Sequence, residues 1–443
     1  MIRRARCLRT AAAVLAVAGT ALACTHSAGD RRPTPTPAAS SSSTNAGTVH
    51  VLGLWSGPEF DSFDAVRTSW ESSTGHEVDW QDSQDVAGDL AAAIAAGNPP
   101  DIAVLPNVSL LHQLARAGKL VPLDKVLDRR DLDRDYPAAW RDLGSDGGHP
   151  YGIFYKVSSK STVWYDPKAF AAAGYRVPST WGALTALADR IVADRRTPFS
   201  IVAAQGPAAG WALTDWVASI VLNRCGPAAY DRWVGGGLAW TSACVRASFA
   251  QFLTLVRTKG YVHGGVAGVL DGTDSEGSYP MYTTPPSAYL YYLSSFAQAF
   301  IAERYPELRP GQDYDFFAFP TIEPRYRGAV MVGADIVVMT HDSPAARAFL
   351  AYLAGPAAQE QWIRRGGFTS VNRRVPTSTY ADPVARKIAR QLTAAATVRF
   401  AAGDSLPASV QRAWWSAMRQ LVQDPSLLDR ELASLDAAAR AAK

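Results

Sequence analysis

Carboxylates spaced beside aromatic rings are the pattern in this sequence most able to do chemistry. Trp55 and Glu59 stand four residues apart in LWSGPE, with Ser56 and the Gly57 backbone between them. Trp211 and Asp215 repeat that spacing, and on a helix it puts both on one face. Asp335, two residues after Gly333, adds a third carboxylate able to accept two hydroxyl hydrogen bonds. Indole and phenol rings offer flat apolar faces, against which the C–H face of a pyranose stacks while carboxylates hold its hydroxyls. The same acids, Glu59, Asp215 and Asp335, are the groups a glycan-cleaving enzyme would place on either side of its bond. Nothing in the sequence fixes their separation. It contains no G-x-S-x-G elbow and no H-E-x-x-H motif. The 7 histidines are scattered without ligand spacing, so neither a metal nor a cofactor is expected.

Strand ends must position most of these groups. Residues 49–54 (VHVLGL) read as a buried strand, and a helix follows from about Glu59 with Phe60, Phe63, Val66 and Trp70 on one stripe. A second strand reads at 77–80, a helix from Asp85 to Gly97, a third strand at 101–105 and a helix at 109–118. Alternation at this interval predicts an α/β fold with a parallel sheet covered on both faces. Ligands of such sheets sit beyond the carboxyl ends of the strands. That rule brings Trp55, Ser56, Glu59, Ser83 and Asn107 to one edge and favours ligand contact for Trp55 over a cap on the sheet; the polar groups could be surface residues. Most of the 13 tryptophans should be core, Trp70, Trp164, Trp181 and Trp233 among them. Further along, 151–155 and 161–165 read as extended runs flanking KVSSK, and Asp166-Pro167 opens a helix. Helix signals dominate from Trp181 to about Gly260, extended runs return at 313–320 and 334–339, and helices then continue nearly to the end.

The N-terminus bounds the compartment. Arg3, Arg4, Arg6 and Arg9 precede an apolar stretch, Ala11 to Ala23, too short to span a bilayer. A basic head, a short apolar body and small residues at the cut mark an export signal over 1–23. Cys24 directly after the cut resembles the lipid-bearing cysteine of bacterial lipoproteins, although in Ala21-Leu22-Ala23-Cys24 the leucine stands one place later than usual. Residues 24–47 are small, polar and proline-containing, the composition of a disordered tether reaching on the order of 25 Å. Residues 1–47 hold six arginines against one aspartate, so of the overall +4 the remaining 396 residues keep a net of −1. That balance leaves no basic field for nucleic acid. Cys225 and Cys244 remain in an oxidising compartment, where a disulfide is the default.

Four stretches carry a family resemblance: GNPPDIAVLPNVSLLHQLARAGKLVPLD (97–124), GIFYKVSSKSTVWYDPKAFAAAGYRVPSTWGAL (152–184), GWALTDWVASIVLNRCGPAAYDRWV (210–234) and AFLAYLAGPAAQEQWIRRGGFTSVNRRV (348–375). In this order they resemble the extracellular solute-binding proteins of ABC importers, in particular the branch that takes α-glucosides. The likeness spans nearly all of 48–443. It implies two α/β lobes joined by a hinge, residues 48–157 with about 334–388 and residues 158–333 with about 389–443, and a solute held in the cleft between them. It implies a carbohydrate ligand, ABC permease subunits as partners, a lipid-anchored monomer on the outer face of the membrane and no turnover. The same fold with a non-sugar solute (a polyamine, a phosphate ester or a peptide) is the other reading. The resemblance further implies an aromatic wall and a hydroxyl acceptor at Trp211 and Asp215, and a rim group at Lys160. Phe296 falls where relatives often place a tryptophan, with Tyr291 or Tyr292 able to substitute. Of the adjacent Trp414 and Trp415, the pattern of WWSAMRQL favours Trp415 for the cleft.

Overall fold

The computed structural model describes residues 47–442. The expected export signal, Cys24 and the tether as far as residue 46 lie outside the described residues.

Six strands form the larger sheet. β1 (Thr48–Gly53), β2 (Glu77–Asp82) and β3 (Ile102–Leu105) come from the N-terminal alternation, each returned by a helix. After a two-strand hairpin, β4 (Ser145–Asp146) and β5 (His149–Pro150), β6 (Gly152–Ser159) joins the same sheet. A second sheet takes β7 (Thr162–Tyr165), β8 (Phe199–Ser200), β9 (Leu290–Tyr292) and β10 (Asp315–Ala318). β11 (Ala329–Met339) and β12 (Thr397–Phe400) complete the first sheet. Its order is β12-β11-β3-β1-β2, with β6 also on β11, and the second runs β10-β7-β9-β8. β1 pairs in parallel with β2 and β3, as the alternation predicts, whereas β11 runs antiparallel to β3 and β6.

Local sequence accounts for the edge where the first strands end. The helix Gly57–Thr74 starts with proline in its first turn, buries Phe63, Val66 and Trp70 on one stripe, and stops at Gly75 in the left-handed conformation (φ 75°). The helix Val86–Ala95 is capped by the Asp85 carboxylate and Val108–Arg116 by Asn107. In KVSSK, Lys156 to Ser159 continue β6, and only Lys160 and Ser161 separate it from β7.

Two buried cores follow the two sheets only in part: the first also takes Trp164, Tyr291 and Phe316 of the second sheet, and the second takes Ala329 and Met331 of β11. This is the α/β, two-lobed architecture with crossing strands between the lobes. The helix Pro383–Ala394 buries Ile388, Ala389 and Leu392 in the first core, and β12 belongs to the first sheet. The chain therefore returns to the second core at Ala401 rather than near 389. Cys225 and Cys244 join the end of the helix Trp211–Cys225 to the start of Ala243–Arg257, with their Cα atoms 5.9 Å apart. Among the described residues no helix is long and apolar enough to cross a membrane.

Candidate solute-binding site

Nine of the 13 tryptophans are buried; Trp80, Trp181, Trp211 and Trp415 keep partial exposure. Trp55, expected as a ligand platform, is fully buried. It stacks on Trp80 (5.4 Å, 4°), meets Trp362 edge-on (4.8 Å, 82°) and touches Phe63 and Tyr155. The strand-end rule placed its backbone correctly. It did not place the helix Pro356–Arg365, whose Trp362 covers the ring. The indole N–H donates to the Asp335 carboxylate at 2.7 Å, so both groups serve the interior. Gly53 permits this packing, because a Cβ there would collide with the Trp80 ring.

Trp211 fares differently. Gly210 precedes it in the left-handed region (φ 115°), and a Cβ at Gly210 would strike the Trp415 backbone carbonyl. Only glycine lets the helix Trp211–Cys225 begin against the later helix Ala408–Gln423. Trp211 is half-buried and packs against the first core, while most of its helix is buried in the second. Its ring lies 6.1 Å from Phe296, which is 38% exposed. Phe296 and Val177 are the exposed large apolar side chains among the described residues. Of the tryptophan pair, Trp414 is sealed among Trp233, Trp240 and Phe249, and Trp415 is half-buried beside Gly210. Tyr291 and Tyr292 cannot substitute as platforms, because β9 buries both and their hydroxyls bond to the carbonyls of Asp274 and Lys160.

Lys160 is not a rim donor. It is buried, with its ammonium 2.6 Å from Asp404 and 3.3 Å from Asp215, and 5.5 Å from the centre of the Trp211 ring. Burial alone would pull its pKa down; the two carboxylates outweigh that and raise it above the usual lysine value. Burial pushes the Asp215 carboxyl up, against the opposing pull of Lys160. Four residues earlier, Lys156 bonds Glu59 at 2.5 Å and lies 3.6 Å from Asp335. Burial also raises Asp335, with Lys156 and the Trp55 N–H pulling the other way. Sequence reasoning missed Asp404 and Lys156. Asp404 sits in AAGDSLP, which carries no motif, and Lys156 lay between the two runs read as extended.

The smaller polar candidates divide. Ser83 is buried, donates to Asp89 at 2.6 Å and accepts the Asp85 N–H, so it serves a helix start. The Asn107 oxygen caps its helix, accepting the Leu110 N–H at 2.9 Å. Ser56 is exposed with no capping hydrogen bond, and Glu59 is half-exposed. A separate hollow in the first lobe is lined by Asn372, Arg373, Thr377 and Thr393, and it includes none of the expected site residues. No group of three or more histidine, cysteine or acidic side chains is arranged to hold a metal among the described residues.

Comparison with known proteins places this geometry. Residues 57–360 match the family model of the bacterial extracellular solute-binding proteins. The chain is 33% identical over 371 residues to an osmoprotective compounds-binding protein, GgtB, of Synechocystis sp., covering 84% of this chain and 87% of that one. It is 34% identical over 393 residues to the alpha-glucosides-binding periplasmic protein AglE of Rhizobium meliloti, covering 86% and 85%. Among solved structures, the bacterial solute receptor AcbH shares the fold with a TM-score of 0.78 at 20% identity, over 89% of this chain and 99% of that one. RafE of Streptococcus pneumoniae shares it at 0.73 and 15% identity, over 90% and 98%. The chain belongs to the bacterial extracellular solute-binding proteins, extracytoplasmic binding components of ABC transporters rather than enzymes.

Proposed function

We propose that this protein captures a carbohydrate, an oligosaccharide or a glucoside, between its lobes and hands it to membrane permease subunits. The observation that carries the reading is the Trp211–Phe296 ledge, a half-buried indole beside the 38% exposed Phe296 ring. Both lysines at the junction are taken up by carboxylates, so neither offers its charge to a phosphate or carboxylate ligand. Asp215 and Asp335 are likewise engaged by Lys160 and the Trp55 N–H, which disfavours a polyamine. What remains is flat apolar surface with polar groups at its edge, which suits a neutral polyhydroxyl guest. Ser56 and Trp415 keep open surface for that role, whereas the Asn107 oxygen caps its helix and Glu59 is paired with Lys156. The relatives named for alpha-glucosides and osmoprotective compounds support the class.

The protein acts as a monomer, exported by residues 1–23, lipid-anchored at Cys24 and tethered by 24–47. Its lobes are 48–159 with about 330–400 and 162–328 with 401–443, and Cys225 and Cys244 are oxidised outside the cytoplasm. Cys24→Ala should move the protein from the membrane fraction to the soluble one; retention on the membrane would refute the anchor. Calorimetric titration with a panel of di- and trisaccharides tests the ligand class. Saturable binding of at least one, with no new reducing ends, is expected. Silence across the panel with binding of a polyamine, phosphate ester or peptide would replace the sugar.

A further inference from the structure

Lys156 and Lys160 stand four residues apart along one crossing, each between two carboxylates. Lys156 lies in β6, opposite Asp335 of β11 in the ladder. Its ammonium reaches Asp335 and also Glu59, on the helix that starts at the first lobe's edge. Asp335 in turn holds the Trp55 indole. Lys160 follows β6, and its N–H bonds the Met331 carbonyl on β11. Its side chain passes Gly333, where a Cβ would lie 3.2 Å from Cε. Its ammonium ends on Asp215, one turn past Trp211, and on Asp404, three residues beyond Ala401, where the chain crosses for the third time. The Ala401 N–H bonds the Val332 carbonyl, which brings that crossing beside the other two. The Lys160 carbonyl accepts from Tyr292 at 2.7 Å, itself bonded to Ser219 of the Trp211 helix.

We infer that the two lysines are positioning residues, each clamping one lobe's cleft edge to the crossing strands. Between the clamps lie residues 157–159 of β6 and 332–334 of β11. The Ser158 hydroxyl bonds only weakly there, at 3.4 Å to the Gly333 carbonyl. The Lys160–Asp215 pair is buried and resists separation, because parting it strands a charge away from water, whereas Lys156 is half-buried and is held by two carboxylates at once. The clamped ends therefore move as blocks, and lobe closure bends the short span between them. A solute pressing on Trp211 moves the same block that Lys160 holds, so its contact is felt at the hinge. The inference rests on the cleft being the solute site.

Asp404→Asn tests it in the oxidised full-length protein. Asp404 is the half-exposed partner, and its loss leaves Lys160 paired with Asp215, so the fold survives. Hydrogen exchange should quicken in segments 157–161 and 330–335, and affinity for the best sugar of the panel should fall about tenfold. The melting temperature should hold, and Asp404→Glu should restore both readouts. Glu59→Gln, which removes a partner of the other clamp, should give the same pattern. Unchanged exchange and affinity would overturn the inference. So would faster exchange spread evenly through a lobe with a lowered melting temperature, which marks general loosening. If no sugar binds the unmodified protein, the carbohydrate reading fails, while exchange at the crossings still decides the clamp.

Discussion

Trp55 and Trp211 show how far a residue's type and spacing carry. Both stand four residues before an acid, yet one is sealed in an aromatic core and the other lies half-exposed beside Phe296. Substitution should separate them by readout. Trp211→Ala should weaken sugar binding by about 1–2 kcal/mol, roughly tenfold, with little loss of stability. Trp55→Phe should cost about 1–3 kcal/mol of folding stability in denaturant titration, because the mostly buried Asp335 carboxylate loses its indole donor. Affinity lost in the second and stability lost in the first would reverse the assignment. Asp313 gives a pH signature. The Lys168 ammonium, then the Arg309 backbone and guanidinium, hold its carboxyl down at about 2, below the unbound 3.8. A folded value below the unfolded one contributes stability above the unfolded value, and that contribution is lost as pH falls through the folded one. Asp313→Asn should therefore be less stable than the parent at neutral pH, with the gap closing from about pH 4 towards 2. A gap independent of pH would contradict it.

At the scale of elements, the disulfide ties the end of the helix Trp211–Cys225 to the start of Ala243–Arg257 across an intervening helix, Pro227–Val234, in the second core. Replacing Cys225 and Cys244 together by serine should cost about 3 kcal/mol in denaturant unfolding of the oxidised protein. An equal midpoint for both forms would show that the pair carries no stability. The N-terminal strands and helices were legible because their apolar periods are strong and signals such as Asp85 are local, whereas Asn107, read as a rim group, proved to be a cap. β8, β9 and β12 were not, having two, three and four residues and lying among helix signals. Sequence placed Trp211, Asp215 and Phe296 in one neighbourhood through family likeness. It could not see Lys160 ion-paired with Asp404, a contact across 244 residues between side chains with no periodic signal. Lys160 consequently read as a rim donor when its charge is spent inside. Trp55 failed for a related reason, since the helix that covers it arrives some 300 residues later.

For the whole molecule, the crossings matter as much as the lobes. Two lysines on one chain passage, Lys160 buried and Lys156 half-buried, are each held by two carboxylates, and Trp211 pairs with the exposed Phe296 ring. A receptor of this kind needs no reactive carboxylate pair. Its acids are occupied by lysines and an indole, which fits the proposed capture by closure. The most direct measurement is a crystal structure with the tightest-binding sugar of the panel. A pyranose face against the Trp211 indole, with Phe296 at its edge and both lobes in contact with the guest, is the predicted result. A ligand seated in the first-lobe hollow by Asn372, Arg373 and Thr377, or bound without contact to Trp211, would contradict it.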